Sequence, residues 1–546
     1  MVLSNIYSDG MILQRNAENI IEGTTLAGDK VNVVFDNEEY ETTADKDGCF
    51  LVKLKAMAAG GPFFMTLKDS AEERKISDIY VGDVFLLEGQ SNMELPVSRT
   101  LDLYADEVGK KDYPLIRMFQ LPKDYKFGEP DKTMGSGEWI GADIKNVMNF
   151  SALGFYFAEI KYNADSVPIG LVHAAVGGTH IEAFMSEKQV LETGAKMRKI
   201  AEIEGRSNDC ICLPNDSCKA CYEAKIKRNK DTSYINKITE QELKNIDAWN
   251  KRLDANDRGL AEGWQNAEWT AKDLEDSVEI DVPSSWIDNP LGKTIGSVWV
   301  QTTVDVPKEF SGKKVQLRLG TIVDADRTFV NGKLVGQTEY FYPPRRYMLD
   351  EDVLVEGKNV ITVRVIVNNN VGEFKKDMPY CIKMGDKEIS LEGKWHARIA
   401  ANEIPQGQMH FFTWQPTALY NTMIYPIRNI RFDSVLFYQG ESNTRYPEDY
   451  EYLMTDMVKE QRELFGYNVP FMFAKLPYFK GETWEVQSDD WDRLREAQER
   501  AVKSMDNATI VELYDLGQYN EIHIQNKKEA AERFYLKYLS DIKNER

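Results

Sequence analysis

A short apolar strand, Val84-Phe85-Leu86-Leu87, runs into Glu88-Gly89-Gln90-Ser91-Asn92-Met93. This is how a buried parallel strand delivers a hydroxyl to the rim of a sheet. Gly89 permits a tight turn, and Ser91 then stands where a helix begins, with backbone N–H groups available to an oxyanion. A serine at such a junction is either a nucleophile or a plain helix cap. Acyl transfer also needs a base and donors for the tetrahedral oxyanion. After Ile169 to Ala174 comes Val176-Gly177-Gly178-Thr179-His180, whose glycines either present bare N–H groups or make an ordinary turn. After the strand ending at Tyr438 comes Gln439-Gly440-Glu441-Ser442-Asn443. Gln439 offers an amide donor to the same oxygen, and Glu441 a carboxylate to brace the loop.

The chain has five histidines from which to draw a base. His173 lies inside an apolar strand and reads as a core residue. His396 sits in a strand-like stretch and His410 before Phe411-Phe412. His180 follows the two glycines, at the rim and within reach of substrate. His523, in Glu521-Ile522-His523-Ile524, lies beyond the last α/β strand with a carboxylate two residues earlier. A base and its orienting partner belong in such a loop.

The elements that position these residues alternate in kind along 546 residues. Residues 1–77 carry short alternating strands with turn signals about every 8 to 12 residues, which predicts a β-sandwich. An α/β pattern follows over 78–275, with strands at Val84 to Leu87 and Ile169 to Ala174 and a helix over Ser151 to Asn163. Residues 276–400 read as an all-β module of jelly-roll or sandwich type, with Asn331-Gly332 a type I′ hairpin signal. The α/β pattern resumes over 401–546, with strands at Ser434 to Tyr438, Val469 to Ala474 and Ala508 to Leu513. An all-β module between two α/β stretches is most simply an insertion into one α/β domain.

Net charge is −21, from 67 basic and 88 acidic residues, which argues against nucleic acid and anionic membranes as partners. Neutral carbohydrates fit that surface. No apolar run approaches the roughly 18 residues of a spanning helix, and the N-terminus lacks a signal core, so a cytoplasmic location is expected. Cys210, Cys212, Cys218 and Cys221 cluster within Cys-Ile-Cys-Leu-Pro-Asn-Asp-Ser-Cys-Lys-Ala-Cys. They fit a structural zinc site, two local disulfides in an exported protein, or free thiols. Trp139, Trp414, Trp484 and Trp491 fall in loop-like segments where indoles stack on sugar rings.

Six ordered blocks resemble the sialate O-acetylesterase family of SGNH-type hydrolases. They are Tyr7 to Arg15, Val81 to Glu94, Val176 to Ala183, Pro416 to Asn421, Phe437 to Asn443 and Glu521 to His523. The β-module is also similar to the family's, from Asp324-Ala325-Asp326 to Tyr342-Pro343-Pro344-Arg345-Arg346-Tyr347. The resemblance implies an SGNH-like three-layer α/β sandwich with a parallel sheet, an N-terminal β-sandwich and an inserted jelly-roll-like module. It implies removal of O-acetyl groups from sugars through an acyl-enzyme, with no cofactor for catalysis. By position, Ser91 is the nucleophile and His523 the base, while Ser91 N–H, Gly178 N–H and the Gln439 amide form the oxyanion hole. Asn92, His180, Glu441 and Asn443 are candidate substrate contacts. The family's usual Asp-Ile-His-Pro is Glu521-Ile522-His523-Ile524 here, which makes Glu521 the third catalytic residue. A carbohydrate-binding protein on a decayed esterase core is the alternative, and a hydrolase of other small esters or lipids a further one.

Overall fold

The computed structural model describes residues 1–108, 110–206, 215, 219–480 and 489–543. The chain folds into two compact units, residues 1–234 with 411–546, and residues 235–410.

The first unit is organised around seven strands: β1 (Glu73–Gly89), β2 (Tyr113–Gln120), β3 (Trp139–Ala142), β4 (Ile169–Ala175), β5 (Ser434–Tyr438), β6 (Phe471–Ala474) and β7 (Ala508–Val511). Their order is β3-β2-β4-β1-β5-β6-β7. Every pairing is parallel except that of β3 with β2. All residues of β4 and β5 are buried, as expected of parallel strands covered on both faces. The covering helices are α2 (Ala152–Asp165), α3 (Tyr450–Phe465) and α4 (Lys527–Lys537), while α1 (Ser91–Glu94) directly follows β1. Phe85 of β1 meets Phe157 of α2 edge-on, ring centroids 5.0 Å apart, and Tyr538 at the end of α4. Glu88 points to the opposite face, by strand alternation, and meets Gln461 of α3. Helices therefore cover both faces of the sheet.

β1 is long because it serves two sheets. Its first half pairs antiparallel with Gly60–Lys68 and parallel with Ile12–Gln14, in an arrangement extended by Lys30–Phe35 and Glu38–Thr43. A separate sheet joins Val2–Leu3, Asn19–Thr24 and Cys49–Leu54. The boundary placed at residue 77 falls inside β1, and one continuous apolar core runs through these strands and the α/β layers. The chain leaves β1 for β2 and β4 on one side and for β5, β6 and β7 on the other. The carboxyl end of β1 is thus a topological switch point, where open α/β sheets bind ligands.

The second unit begins within the helix Thr232–Asn256 and holds a six-stranded and a four-stranded antiparallel sheet. It starts about forty residues before the expected module because this helix and two shorter ones, Arg258–Glu262 and Ala271–Glu275, belong with those strands. Asn331 and Gly332 have φ of +50° and +82° between strands Ala325–Val330 and Lys333–Thr338, as the hairpin signal predicts. Arg345 and Asp326 form a fully buried ion pair at 2.7 Å, which Tyr347 completes through its hydroxyl. No helix among the described residues is long and apolar enough to cross a membrane.

Glu88 is fully buried, accepts a hydrogen bond from Gln461 Nε2 at 2.7 Å, and has its pKa pushed up by burial to about 8. The folded protein therefore holds a proton that the unfolded chain releases above the ordinary carboxylate value of 4.5. This contribution to stability is full below that value and is lost as pH rises towards 8. Glu88→Gln, which keeps the shape and removes the titration, is expected to gain a few degrees in melting temperature at pH 8 over any change at pH 5. Calorimetry at the two pH values checks this, and equal shifts at both would refute it.

Candidate active site

β1 ends at Gly89 with φ +135°, and a methyl group there would lie 2.1 Å from the Tyr438 carbonyl oxygen. Only glycine lets β1 and β5 finish side by side. Gln90 N–H donates to that carbonyl at 2.9 Å, and the chain turns into α1 with Ser91 as its first residue, half-buried. The cap position belongs to Gln90, one residue earlier. Ser91 is therefore not the helix cap, and its hydroxyl stands at the rim above the switch point.

Asn92 is fully buried and ties three loops together. Its Nδ2 donates to Glu441 Oε1 at 2.6 Å and to the Ile522 carbonyl at 2.9 Å, and its Oδ1 accepts from Lys527 Nζ at 2.5 Å. The loop carrying His523 is thereby fastened to the residue after Ser91. Glu521 Oε1 accepts the His523 backbone N–H at 2.9 Å and lies 3.6 Å from His523 Nδ1. The longer side chain of glutamate thus places its carboxylate beside the imidazole and holds the loop at the same time. Both residues are buried.

The Gly177–Gly178 turn faces Ser91, and a methyl group on Gly177 would stand 3.5 Å from Ser91 Cβ. Gly177 N–H donates to Glu94 Oε2 at 2.5 Å, and its carbonyl accepts from Trp414 Nε1 at 2.7 Å. The Gly178 carbonyl accepts from Ser442 Oγ at 2.9 Å. Gly178 N–H makes no hydrogen bond to protein among the described residues, and neither does Ser91 N–H at the start of α1. These two donors are the ones open to an oxyanion.

Gln439 departs from its expected role. Its Nε2 donates to Gln90 Oε1 at 3.1 Å, the Thr179 carbonyl at 3.0 Å and Asn443 Oδ1 at 2.7 Å, and its Oε1 accepts from Tyr450 at 2.6 Å. An amide with two hydrogens and three protein acceptors has none left for a substrate, and Gln439 is fully buried. It braces the site from beneath. Asn443 does likewise, accepting Ile181 N–H at 3.1 Å and donating to Glu182 Oε2 at 3.0 Å. Asn92, Glu441 and Asn443, expected to touch substrate, are all buried supports. His180 is half-buried near Trp414, and burial lowers its pKa to about 3, so the ring is neutral.

The other candidates are scattered. His173 is buried on β4 against Gln120, with its pKa lowered by burial to about 3, and His396 and His410 lie in the second unit. Trp139 donates to the Ile6 carbonyl at 2.8 Å and packs on Phe119, and Trp491 is buried against Phe479. Trp484 lies outside the described residues. Trp414 is at the site, stacked on Phe411 with centroids 4.1 Å apart. Cys221 is disulfide-bonded, so its sulfur is not the thiolate that a four-cysteine zinc site requires. Cys210, Cys212 and Cys218 lie outside the described residues.

Two members of the site carry no catalytic signature in the sequence. Glu94 reads as the last residue of an S-x-x-E capping box, and Lys527 as one of several lysines opening a helix. Lys527 is fully buried, and desolvation lowers its pKa to about 7 against the attraction of Glu441 and Glu521. A lysine just after His523 on a buried helix face was the available signal.

A family model described as carbohydrate esterase, sialic acid-specific acetylesterase, matches residues 81–207 and 403–538, which contain Ser91, Gly178, Gln439, Glu521 and His523. The sialate O-acetylesterase of Mus musculus is 27% identical over 188 residues, 32% of this chain and 35% of that protein. That of Homo sapiens is 26% identical over 209 residues, 35% of this chain and 40% of that protein. The matched stretch thus spans well under half the length of these curated relatives. A solved carbohydrate acetylesterase from Xanthomonas citri shares the fold, with a TM-score of 0.56 at 19% identity over 100% of this chain and 75% of that one. Its segments around Ser91 and His523, somewhat under half of the chain, thus match the sialate O-acetylesterase family of carbohydrate esterases.

Proposed function

We propose that this protein is a serine esterase that removes O-acetyl groups from carbohydrates. The observation that carries the reading is the convergence on one rim of an accessible Ser91, a histidine–carboxylate pair fastened to it through Asn92, and two open backbone donors. His523 takes the Ser91 proton as Oγ attacks the acetyl carbonyl. The tetrahedral oxyanion receives the N–H groups of Ser91 and Gly178, which point at charge that develops only in the transition state. His523 then protonates the departing sugar oxygen, freeing the hydroxyl, and water, activated by the same ring, releases acetate from Ser91. Glu521 keeps the imidazole in the tautomer that accepts at Nε2 and stabilises the imidazolium. Trp414 and Phe411 form an aromatic wall beside the oxyanion turn, against which a sugar ring packs. The substrate class comprises acetylated xylo-oligosaccharides, manno-oligosaccharides and sialic acids.

Ser91→Ala is expected to lower kcat for p-nitrophenyl acetate by about three orders of magnitude or more with the fold intact. Hydrolysis at the wild-type rate would exclude the mechanism. An acetate-release screen on the three substrate groups, with Ser91→Ala as control, identifies the sugar. Saturable glycan binding without acetate release from any of them would favour the non-hydrolytic reading, and a preference for long acyl chains would exclude acetyl specificity. Glu521→Gln keeps an acceptor for His523 N–H and removes the charge beside the ring. A fall in kcat of about a hundredfold is expected with KM little changed, and an unchanged kcat would remove Glu521 from the catalytic group.

A further inference from the structure

The Gly177–Gly178 turn has four polar backbone atoms, and three are held by protein. A trans peptide is planar, with its C=O and N–H pointing opposite ways. The peptide joining Gly177 to Gly178 contains both the Gly177 carbonyl, bound at 2.7 Å by Trp414 Nε1, and the Gly178 N–H. Fixing that carbonyl toward the indole aims the N–H the other way. The preceding peptide is fixed independently, because Gly177 N–H is held at 2.5 Å by Glu94 Oε2. Two successive glycines have more backbone freedom than any other pair, and Gly178 has φ +75°. Without outside restraint the N–H would sample many directions.

Glu94 is an unexpected partner for such a turn. It sits on α1, three residues after Ser91, and only its Oε2 serves the turn. A carboxylate near a developing oxyanion opposes it, and here Lys123 Nζ pairs with Glu94 Oε1 and offsets the charge. The helix that presents the nucleophile thus also holds the oxyanion turn, so the two move as one body. We propose that Glu94 and Trp414 are positioning residues that clamp the Gly177–Gly178 turn and thereby aim the Gly178 N–H at the tetrahedral intermediate formed on Ser91. This rests on the acyl-enzyme reading above. It gives Trp414 a role that requires no sugar.

The test is steady-state hydrolysis of p-nitrophenyl acetate, which carries no sugar to stack on an indole, by Glu94→Ala, Glu94→Gln, Trp414→Phe and Ser91→Ala, each with its melting temperature. Glu94→Ala is expected to lose about tenfold to a hundredfold in kcat with KM within about twofold. Glu94→Gln, whose amide oxygen still accepts the Gly177 N–H, recovers most of that loss. Trp414→Phe keeps the ring against Gly178, lacks the Nε1 donor, and also loses kcat at constant KM. The assignment is overturned if kcat is unchanged in both Glu94→Ala and Trp414→Phe, if the effect lies in KM alone, or if Glu94→Gln is as impaired as Glu94→Ala. Should Glu94→Ala melt below the assay temperature, Trp414→Phe decides, with unchanged kcat overturning the clamp. Activity surviving in Ser91→Ala would instead refute the underlying mechanism, so the two failures are distinguishable.

Discussion

Asn92 is fully buried one residue after Ser91, and its carboxamide is the joint at which three distant parts of the chain meet. Its partners are Glu441 from the loop after β5, Ile522 beside His523, and Lys527 on α4. The sequence separations are 349, 430 and 435 residues. No local propensity can set the distance between Ser91 and His523, because the whole second unit intervenes in the chain between their segments. A buried amide with its donors and acceptor satisfied can, since leaving any of them unpaired costs about 1–3 kcal/mol. Ser91 and His523 therefore inherit their relation from the buried side chain of Asn92.

That joint brings a set of ionisable groups into the core. Glu441 and Lys527 are both buried, and burial raises the carboxyl pKa and lowers the ammonium pKa. Each lies within the field of the other, and Lys527 also lies over the Tyr438 ring at 5.0 Å. Glu182 is buried a short way off, with its pKa raised to about 7 despite hydrogen bonds from Tyr222 and Asn443. A buried polar network of this kind adds little net stability over apolar packing. The polar network instead specifies one arrangement of the loops, in keeping with the rule that function is built from local conflicts with folding.

Much of the layout is legible in the sequence. Ser434–Tyr438 is a strand and Asn331-Gly332 a hairpin as read, and the helix over Tyr450–Phe465 ends at Gly466 with φ +75°. Such runs are legible because full burial leaves unbroken apolar stretches, and left-handed closures demand glycine. The 77/78 boundary is not legible, because β1 crosses from one sheet to another without a turn. The aromatic residues mislead for a related reason: Trp139 and Trp491 look like loop tryptophans, and only the packing of Phe119 and Phe479 shows them to be core.

At the site the division is sharper. Residue types and strand-end positions in the sequence alone determine Ser91, the Gly177-Gly178 pair and His523 as candidates, because a nucleophile, bare N–H groups and an imidazole are properties of the residues themselves. Tertiary structure decides which amides stay open at the site and which face protein. It turns Gln439 from an oxyanion donor into a brace, and Asn92, Glu441 and Asn443 from substrate contacts into supports, because their partners come from other loops. It also brings in Glu94, whose sequence position suggests a cap for its own helix and whose carboxylate instead crosses to Gly177. A side chain's chemistry is written in its type, but the direction of its hydrogen bonds is set by neighbours that only folding supplies.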